Sequence, residues 1–347
     1  MLKYAMRTNN LAPTRLPDRL RDTQRLLFIA KHAKWTGGLH SDDGNHALYH
    51  RETREILEAL GIPLLVADNY DELFTPPDAD FVFPLLNRGG FYNSEMLLPL
   101  LCNRLGLPYV GASPIVRGLS DDKHLTKLEA AARGVPTAPW ALFRRGAPVD
   151  VSRCPPAARW VIKPNNSSAS WGIRDAHDRI ELAQAVAEIH ALDHDALVEP
   201  FVEGSDVEVP VITIDGDLAM LPMMIFEQAD PRHLRTYQEK RDLVDRSAKY
   251  SLKLFDDAAM NARLIDYTKL MGEIFRPFDY GRFEFRVDFT TGEIRLLEVN
   301  LNCNLWSEKV FGRAAVAAGF SQVDLIETIV AESMIRQLVG FARRDAA

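Results

Sequence analysis

Two neighbouring segments near the end of the chain alternate apolar and polar residues. The first reads FEFRVDF over residues 283–289, and the second reads LLEVNL over residues 296–301. Such alternation is typical of β-strands with one apolar and one polar face. Thr291-Gly292 marks the turn between them. We therefore expect a hairpin whose polar face carries Glu284, Arg286, Asp288, Glu298 and Asn300.

In the register that we expect, Asp288 lies opposite Glu298 and Arg286 lies opposite Asn300. Carboxylates that face each other across two strands repel, and a divalent cation would remove that repulsion. Carboxylate and amide oxygens suit a hard ion, and Mg²⁺ prefers a few carboxylates together with phosphate oxygens. The alternative is a solvated outer face of the hairpin, which the arginine between the acids disfavours. The pattern predicts a magnesium site at Asp288, Glu298 and Asn300.

A second candidate site follows the apolar segment WVIK at residues 160–163. Lys163 ends this predicted strand, and the polar run NNSSAS follows it before Gly172. Successive backbone N–H groups in such a loop can hold phosphates, and a lysine supplies positive charge. A solvated strand end is the alternative. The chain has no Gly-Lys dipeptide and hence no Walker P-loop, so a nucleotide would bind by another route.

The elements that position these residues fall into two patterns. Predicted strands and helices alternate up to about residue 115, which indicates a small parallel α/β domain. Glycine-rich loops follow two of its strands, at the edge where such sheets bind ligands. Beyond it, Asp215-Gly216 predicts a hairpin between strands at 207–214 and 218–225. The charged segment 227–253 is predicted to be a long lid loop.

Composition narrows the class of protein. The 347 residues suggest about two domains, and the net charge of −7 argues against general nucleic-acid binding. No apolar run approaches the ~20 residues of a membrane helix, and the first residues, MLKYAMRTNN, contain no signal-peptide apolar region, so no membrane partner is expected. Cys102, Cys154 and Cys303 form no CxxC pair. These features predict a reduced, cytoplasmic protein.

Taken together, segments from about residue 25 to 341 resemble the ATP-grasp superfamily, most closely its D-alanine–D-alanine ligase branch. The resemblance rests on five segments in order, LPYVG and SDDK at 107–123, GVPTAPW at 134–140, VIKP at 161–164, VEPFVEGSD at 198–206, and FRVD with LEVN at 285–300. It implies an ATP-grasp fold, of class α/β and α+β, with an N-terminal parallel α/β (pre-ATP-grasp) domain. The implied divisions are that domain at 1–115, a lid subdomain at 116–202, and a C-terminal subdomain with the metal site at 203–347.

The same resemblance implies a role for individual residues in binding ATP. Lys123 and Lys163 would hold the phosphates, with Ser170 in the phosphate loop. The remaining implied contacts are Glu199 and Val202 with adenine and Asp206 with the ribose.

It also implies the catalytic groups. Asp288, Glu298 and Asn300 would bind two Mg²⁺ ions, with Mn²⁺ as an alternative. Arg286 would stabilise an acyl phosphate, and Lys249 in the lid would contact the γ-phosphate, with Lys240 as the alternative.

The chain departs from the family's pattern where the amino-acid substrates bind. Ala47 and Ala169 stand where the family has a glutamate and a serine, although the lid tyrosine is kept as Tyr250. Residues 302–304 read NCN instead of a segment with Pro-Gly, and Asn87-Arg88 replaces a His-Gly pair. Arg88 and Lys309 are candidates to bind a carboxylate and Glu308 to bind an amine, with ordinary surface charges as the alternative. Trp171 and Trp306 could line the pocket of a larger substrate, with core packing as the alternative.

The function implied is an ATP-dependent carboxylate–amine ligase that acts on an amino acid or small peptide, but does not make D-alanyl-D-alanine. Its partners would be small-molecule carboxylates and amines, and family members are often homodimers. Two alternatives stay open, namely a nucleotide-binding protein without catalysis and an ATP-grasp enzyme with a thiol or hydroxyl acceptor.

Overall fold

The computed structural model describes residues 6–86, 94–244 and 250–339. The predicted alternation of strands and helices is present in its N-terminal part, where β2 lies between β3 and β4 and all three strands are parallel. In chain order this part contains β1 (Met6–Arg7), α1 (Asp18–Thr23), β2 (Leu26–Ile29), α2 (Asn45–Ala59), β3 (Leu64–Ala67), β4 (Phe81–Pro84), α3 (Leu97–Leu105), α4 (Pro114–Asp121) and α5 (Lys123–Ala132).

A four-stranded antiparallel sheet follows, with the strand order β5-β8-β6-β7. Its elements are β5 (Ala141–Phe143), β6 (Trp160–Pro164), β7 (Arg174–Ala176), α6 (Arg179–Ala191) and β8 (Ala196–Pro200). Every residue of β6 is buried, as its apolar run predicts, so Lys163 lies inside the fold and not at a solvated strand end. Helix α6 begins where the side chain of Asp178 accepts hydrogen bonds from the backbone N–H groups of residues 180 and 181.

The last part forms a sheet of seven strands. Its elements are β9 (Ser205–Ile214), β10 (Asp217–Met220), β11 (Met224–Gln228), α7 (Tyr237–Arg241), β12 (Tyr250–Leu254), α8 (Ala258–Phe275), β13 (Tyr280–Asp288), β14 (Glu293–Leu301), α9 (Val310–Ala317) and α10 (Gln322–Met334). The order is β1-β10-β9-β11-β12, with β13 also on β9 and β14 on β13. The predicted hairpin at Asp215-Gly216 is confirmed as β9 and β10.

Two predictions for this part were wrong. The single strand expected at 218–225 is broken into β10 and β11, because Pro222 cannot donate to a strand ladder. The segment 227–253 is not one long loop, since it contains α7 and most of β12.

One apolar core joins the first sheet to the C-terminal helices, so these parts hold the loops between them in place. Phe28 and Phe83 of the first sheet belong to the same buried cluster as Ile329 of α10 and Phe226 of β11. Because β1 pairs with β10, residues of the predicted first domain also join the last sheet. The division at residues 115 and 202 stays a prediction.

Among the described residues, no helix is by itself long and apolar enough to cross a membrane. The pair Val310–Ala317 and Gln322–Leu338 would pass on length and composition together, but the two helices are bent by 102° at their break.

Candidate active site

Two adjoining cavities lie where the three sheets meet. The larger has a volume of 1020 Å³ and the smaller a volume of 130 Å³. The residues that line both are Ser167, Ser168, Ala169, Arg235, Lys240, Glu284 and Glu298. The shared wall therefore combines the predicted phosphate loop with the predicted acidic hairpin.

Three carboxylates, the buried Glu208 and Glu284 and the half-buried Glu298, meet across three adjacent strands at this wall. Glu284 of β13 lies opposite Glu298 of β14 and, on its other side, opposite Glu208 of β9. The amide nitrogen of Asn300 donates to Glu284 at 2.6 Å and to Glu298 at 3.0 Å. Arg282 Nη2 donates to Glu284 at 2.6 Å, and its Nε lies 2.8 Å from Glu208 Oε2. One guanidinium and one amide thus hold three acids together.

The predicted register of the hairpin was wrong. Asp288 pairs with Glu293, so only four residues form the turn, whereas facing Glu298 would have required nine. Asp288 lines neither cavity, and its carboxylate instead accepts from Thr290 N at 2.8 Å and from Thr291 Oγ1 at 2.8 Å. Of the three predicted metal ligands, the structure brings together Glu298 and Asn300 and places Glu284 where Asp288 was expected.

Arg286 also lies elsewhere than predicted. It lines the smaller cavity, where it donates to Val202 O at 3.0 Å, Pro231 O at 2.7 Å and Asp206 Oδ1 at 2.8 Å. The arginine beside the acids in the larger cavity is Arg282, because the same four-residue shift applies to it.

The electrostatics of the acidic wall favour a bound cation. Burial raises the pKa of Glu208 to about 7. The positive charge of Arg282 lowers this pKa, and the negative charge of Glu284 raises it further. Burial would also raise the pKa of Glu298, but Lys123 and the amide of Asn300 lower it to about 2. Carboxylate and amide oxygens are the donors that Mg²⁺ takes. Glu284, Glu298 and Asn300 therefore fit a magnesium site.

Buried lysines connect this wall to the smaller cavity. Lys123 Nζ donates to Ser167 O at 2.7 Å and lies 3.4 Å from Glu298 Oε2. Lys163 contacts Glu199, whose second oxygen lies 2.8 Å from Lys127 Nζ. Burial alone would raise the pKa of Glu199, but these two lysines lower it to about 2. Lys127 was not assigned a role from the sequence, although its position one turn after Lys123 in α5 was a usable signal.

The predicted phosphate loop has the backbone of an anion site. Ala169, Ser170 and Gly172 have positive φ angles of 55°, 60° and 74°. Such turns point successive N–H groups into one concavity. Ser170 lines the smaller cavity together with Glu199 and Val202, as predicted for one nucleotide site.

Asp206 lies at the rim of the same cavity between two arginines. Its Oδ2 accepts from Arg235 Nη2 at 2.8 Å, and its Oδ1 accepts from Arg286. Burial would raise the pKa of Asp206, but the two guanidinium groups lower it to about 2. The carboxylate is therefore ionised and fixed in orientation.

Helix α7 closes over both cavities. Lys240 lines both, and burial lowers its pKa while Glu284 and Glu298 oppose that change. The predicted lid lysine, Lys249, lies outside the described residues. Of the two candidate lid lysines, Lys240 is the one whose position the structure describes.

The lid helix packs directly on the first glycine-rich loop. Gly44 has φ of 54° and ψ of −124°, and a Cβ there would lie 1.8 Å from Arg241 O. Asn45 Nδ2 donates to Asp242 Oδ2 at 2.5 Å and to Lys240 O at 3.3 Å. This contact couples lid closure to the N-terminal part of the chain.

The remaining wall of the larger cavity comes from α2, the loop before it, the end of α7 and the start of α9. It includes Lys31, Asp43, His46, Tyr49, His50, Arg241 and Lys309, most of which the sequence did not single out. Of the substrate-pocket candidates, Ala169, Trp171, Tyr250 and Lys309 line the cavity. Ala47 and Trp306 do not line it, and neither does Glu308, which is exposed and pairs with Arg313. Arg88 lies outside the described residues.

Comparisons with known proteins decide the family. The sequence model described as "D-ala D-ala ligase C-terminus" matches residues 130–331. The chain belongs to this family. It is therefore an ATP-dependent ligase that forms C–N bonds and uses ATP and Mg²⁺. The predicted family and fold class are confirmed.

Individual relatives are distant but cover most of the chain. A D-alanine–D-alanine ligase of Marinomonas sp. is 29% identical over 283 residues, which are 79% of this chain and 86% of the relative. The protein y4sG of Sinorhizobium fredii is also 29% identical, over 75% of this chain and 77% of its own length. The ATP complex of D-alanine–D-alanine ligase from Bacillus anthracis superposes with a TM-score of 0.71 at 19% identity, covering 93% of this chain and 99% of that one.

Proposed function

We propose that this ligase joins a carboxylate and an amine through an acyl-phosphate intermediate, with an amino acid or small peptide as substrate and D-alanyl-D-alanine not its product. The observation that carries the proposal is the shared wall of the two cavities. There the phosphate loop and three lysines, Lys123, Lys163 and Lys240, lie next to the acidic residues Glu284 and Glu298. The opposite wall of the larger cavity lacks the residues with which the family contacts its amino-acid substrates.

In this proposal the nucleotide occupies the smaller cavity and reaches into the larger one. Glu199 and Val202 contact adenine, and Asp206 accepts from the ribose hydroxyls with lone pairs that Arg235 and Arg286 leave open. Lys123, Lys163 and Ser170 hold the phosphates. Lys240 contacts the γ-phosphate, and Lys249 is the alternative.

The acidic wall takes the magnesium. Glu284, Glu298 and Asn300 hold it, in place of the predicted set with Asp288. Bound Mg²⁺ neutralises charge on the transferring phosphoryl group and orients it. Two ions, and Mn²⁺ as a substitute, stay predictions. Glu208 adds a third carboxylate to the wall, and Arg282 keeps it next to Glu284.

Chemistry then depends on position and charge. The substrate carboxylate attacks the γ-phosphorus, ADP leaves, and the amine nitrogen attacks the acyl carbon and displaces phosphate while it loses a proton. Phosphoryl transfer asks the protein mainly for alignment and charge stabilisation. Arg282, half-buried beside the acidic wall, stabilises the acyl phosphate and its tetrahedral successor, the role first assigned to Arg286. The lid helix excludes water from the acyl phosphate.

The test is release of ADP and phosphate from Mg²⁺-ATP with amino acids, dipeptides and amines, supplied singly and in pairs. Turnover that needs two components, with a product mass equal to their sum minus water, supports the ligase. Trapping by hydroxylamine detects the acyl phosphate. ATP binding without release of ADP from any mixture would favour a nucleotide-binding protein without catalysis. An ester or thioester product would favour an ATP-grasp enzyme with a hydroxyl or thiol acceptor. A homodimer and a cytoplasmic location stay predictions.

A further inference from the structure

Positive charge gathers at the end of the larger cavity that lies away from the acidic wall. We call Lys31, Arg241 and Lys309 the cationic end; all three line the cavity around His46 and His50. Among the described residues that line this end, the one carboxylate is Asp43. Glu95, which also lines the cavity, already pairs with the buried Arg117 at 3.2 Å. The cationic end therefore has more cations than acids.

Asp43 is already committed to other partners. It contacts Lys31, and its Oδ2 lies 2.8 Å from His32 Nε2. Burial would raise the pKa of Asp43, but Lys31 and His32 lower it to about 2. The nearest guanidinium nitrogen of Arg241 lies 3.9 Å from Asp43 Oδ1, beyond hydrogen-bond reach. Asp43 thus neutralises Lys31 but leaves Arg241 without a hydrogen-bonded carboxylate within the described part of the chain.

Arg241 lines the larger cavity, and no described residue accepts a hydrogen bond from its guanidinium. Its side chain is 12% exposed, and within the described residues its Nε atom is buried without a hydrogen-bond partner. A buried donor left unpaired is costly, so such groups in native proteins are usually completed by a ligand or water. Tyr237 packs against the guanidinium with its ring 5.0 Å away, which holds the group in place.

The two histidines beside Arg241 are neutral. Burial lowers the pKa of His50 to about 3 and lowers that of His46 well below its usual value. Neutral imidazoles can donate or accept one hydrogen bond at each nitrogen without adding charge. Selectivity for charge at this end therefore rests on Arg241.

Resting on the proposed ligase function, we propose that one substrate carries a second carboxylate, which binds at the cationic end while its other groups lie toward Arg282 and the acidic wall. The chemical class is an acidic amino acid, free or as a residue of a small peptide. The carboxylate that is phosphorylated must lie beside the γ-phosphate, so a neutral amino acid in that position has no second carboxylate to reach Arg241. The cavity of 1020 Å³ has room for the longer molecule. The nucleotide phosphates do not compete for this end, because Lys123 and Lys163 hold them at the other.

The test is binding, followed by turnover. Aspartate and glutamate of either chirality are titrated by calorimetry into the full chain with Mg²⁺ and a non-hydrolysable ATP analogue. Asparagine and glutamine are the matched neutral ligands. We expect the acids to bind about tenfold or more tightly than their amides, the size of one charge-assisted hydrogen bond. Arg241→Gln should abolish that difference and Arg241→Lys should restore part of it, whereas Arg19→Gln, on the exposed face of α1, should not change it.

Equal affinity for acids and amides, or an equal loss of both in Arg241→Gln, would overturn the inference. The proposed function fails in a different way. Acid-selective binding without ADP release from any pair of substrates would overturn the ligase and leave the carboxylate site standing. ADP release with neutral amino acids, together with no preference for acids, would overturn the carboxylate site and leave the ligase standing.

Discussion

Replacing Gly44 by alanine should separate the lid from the N-terminal loop. The new Cβ would lie 1.8 Å from Arg241 O, and an ordinary contact begins at 3.4 Å, so the lid backbone must retreat by about 1.6 Å. The φ of 54° with ψ of −124° is also a region that alanine avoids, at a cost of about 1–3 kcal/mol. Because Lys240 sits next to Arg241, its ammonium moves with the lid.

A misplacement of about 1 Å at a reacting centre can cost on the order of 10²-fold in rate. We expect Gly44→Ala to lower kcat/KM for ADP release by a factor of that order. Gly38→Ala is the matched control, because it lies in the same loop and a Cβ there meets nothing within 4 Å. Asn45→Ala removes the hydrogen bonds to Asp242 Oδ2 and Lys240 O without strain and should lie between the two, at about tenfold.

The assay is steady-state ADP release with the substrate pair that the test of the proposed function identifies, alongside circular dichroism and the melting temperature. A folded Gly44→Ala variant with the kcat/KM of the wild type would refute the view that the lid acts from this docked position. Loss of activity in Gly38→Ala as well would show that the whole loop is sensitive, and not the contact.

Three further predictions separate the observed site from the one expected by pattern. Glu284→Gln should lower Mg²⁺-dependent turnover by at least about 10²-fold, as is typical when one group that stabilises a charged transition state is lost. Asp288→Asn should leave turnover unchanged. If Asp288→Asn were the damaging variant and Glu284→Gln the harmless one, the register predicted from the sequence would be right. Arg282→Gln should lower kcat, whereas Arg286→Gln should mainly raise KM for ATP, because Arg286 holds Asp206; initial rates against ATP concentration distinguish them. Glu199 has a pKa lowered to about 2 in the folded chain, so its stabilising effect is present above its usual value and is lost as pH falls toward 2. Melting temperature between pH 6 and 3 should therefore fall more steeply for the wild type than for Glu199→Gln, and parallel curves would contradict the assigned pairing.

Most residues of the nucleotide-binding part of the site could be predicted from the sequence, because they lie in local motifs. Lys163 and Ser170 share one strand and the loop after it, and Glu199 and Val202 share the neighbouring strand and the segment just after it. The geometry within each motif does not depend on how the rest of the chain folds. The hairpin was harder because Glu284, Arg286 and Asp288 share one face, so the period of two cannot choose between registers. Counting back from the turn would have placed Leu297 opposite Glu284, because a bulge between Glu284 and Phe285 shifts the register by one residue.

The substrate half could not be assembled from local patterns. Lys31, Arg241 and Lys309 come from three distant segments, and only the packing of the lid helix on the first loop brings them to one cavity. One signal for that helix was available, since Thr236 and Glu239 form a capping box with the required spacing. This capping box lies within the charged segment 227–253, which was interpreted as a loop.

The central claim is that this chain couples ATP cleavage to joining a carboxylate and an amine. The most direct measurement is the mass of the product formed from Mg²⁺-ATP and pairs of amino acids, with one acidic member in each pair, while ADP is followed in the same reaction. The account predicts one ADP for each molecule of a product whose mass is the sum of the two substrates minus water. ADP release that needs no second substrate, or a product without a new amide, would contradict it.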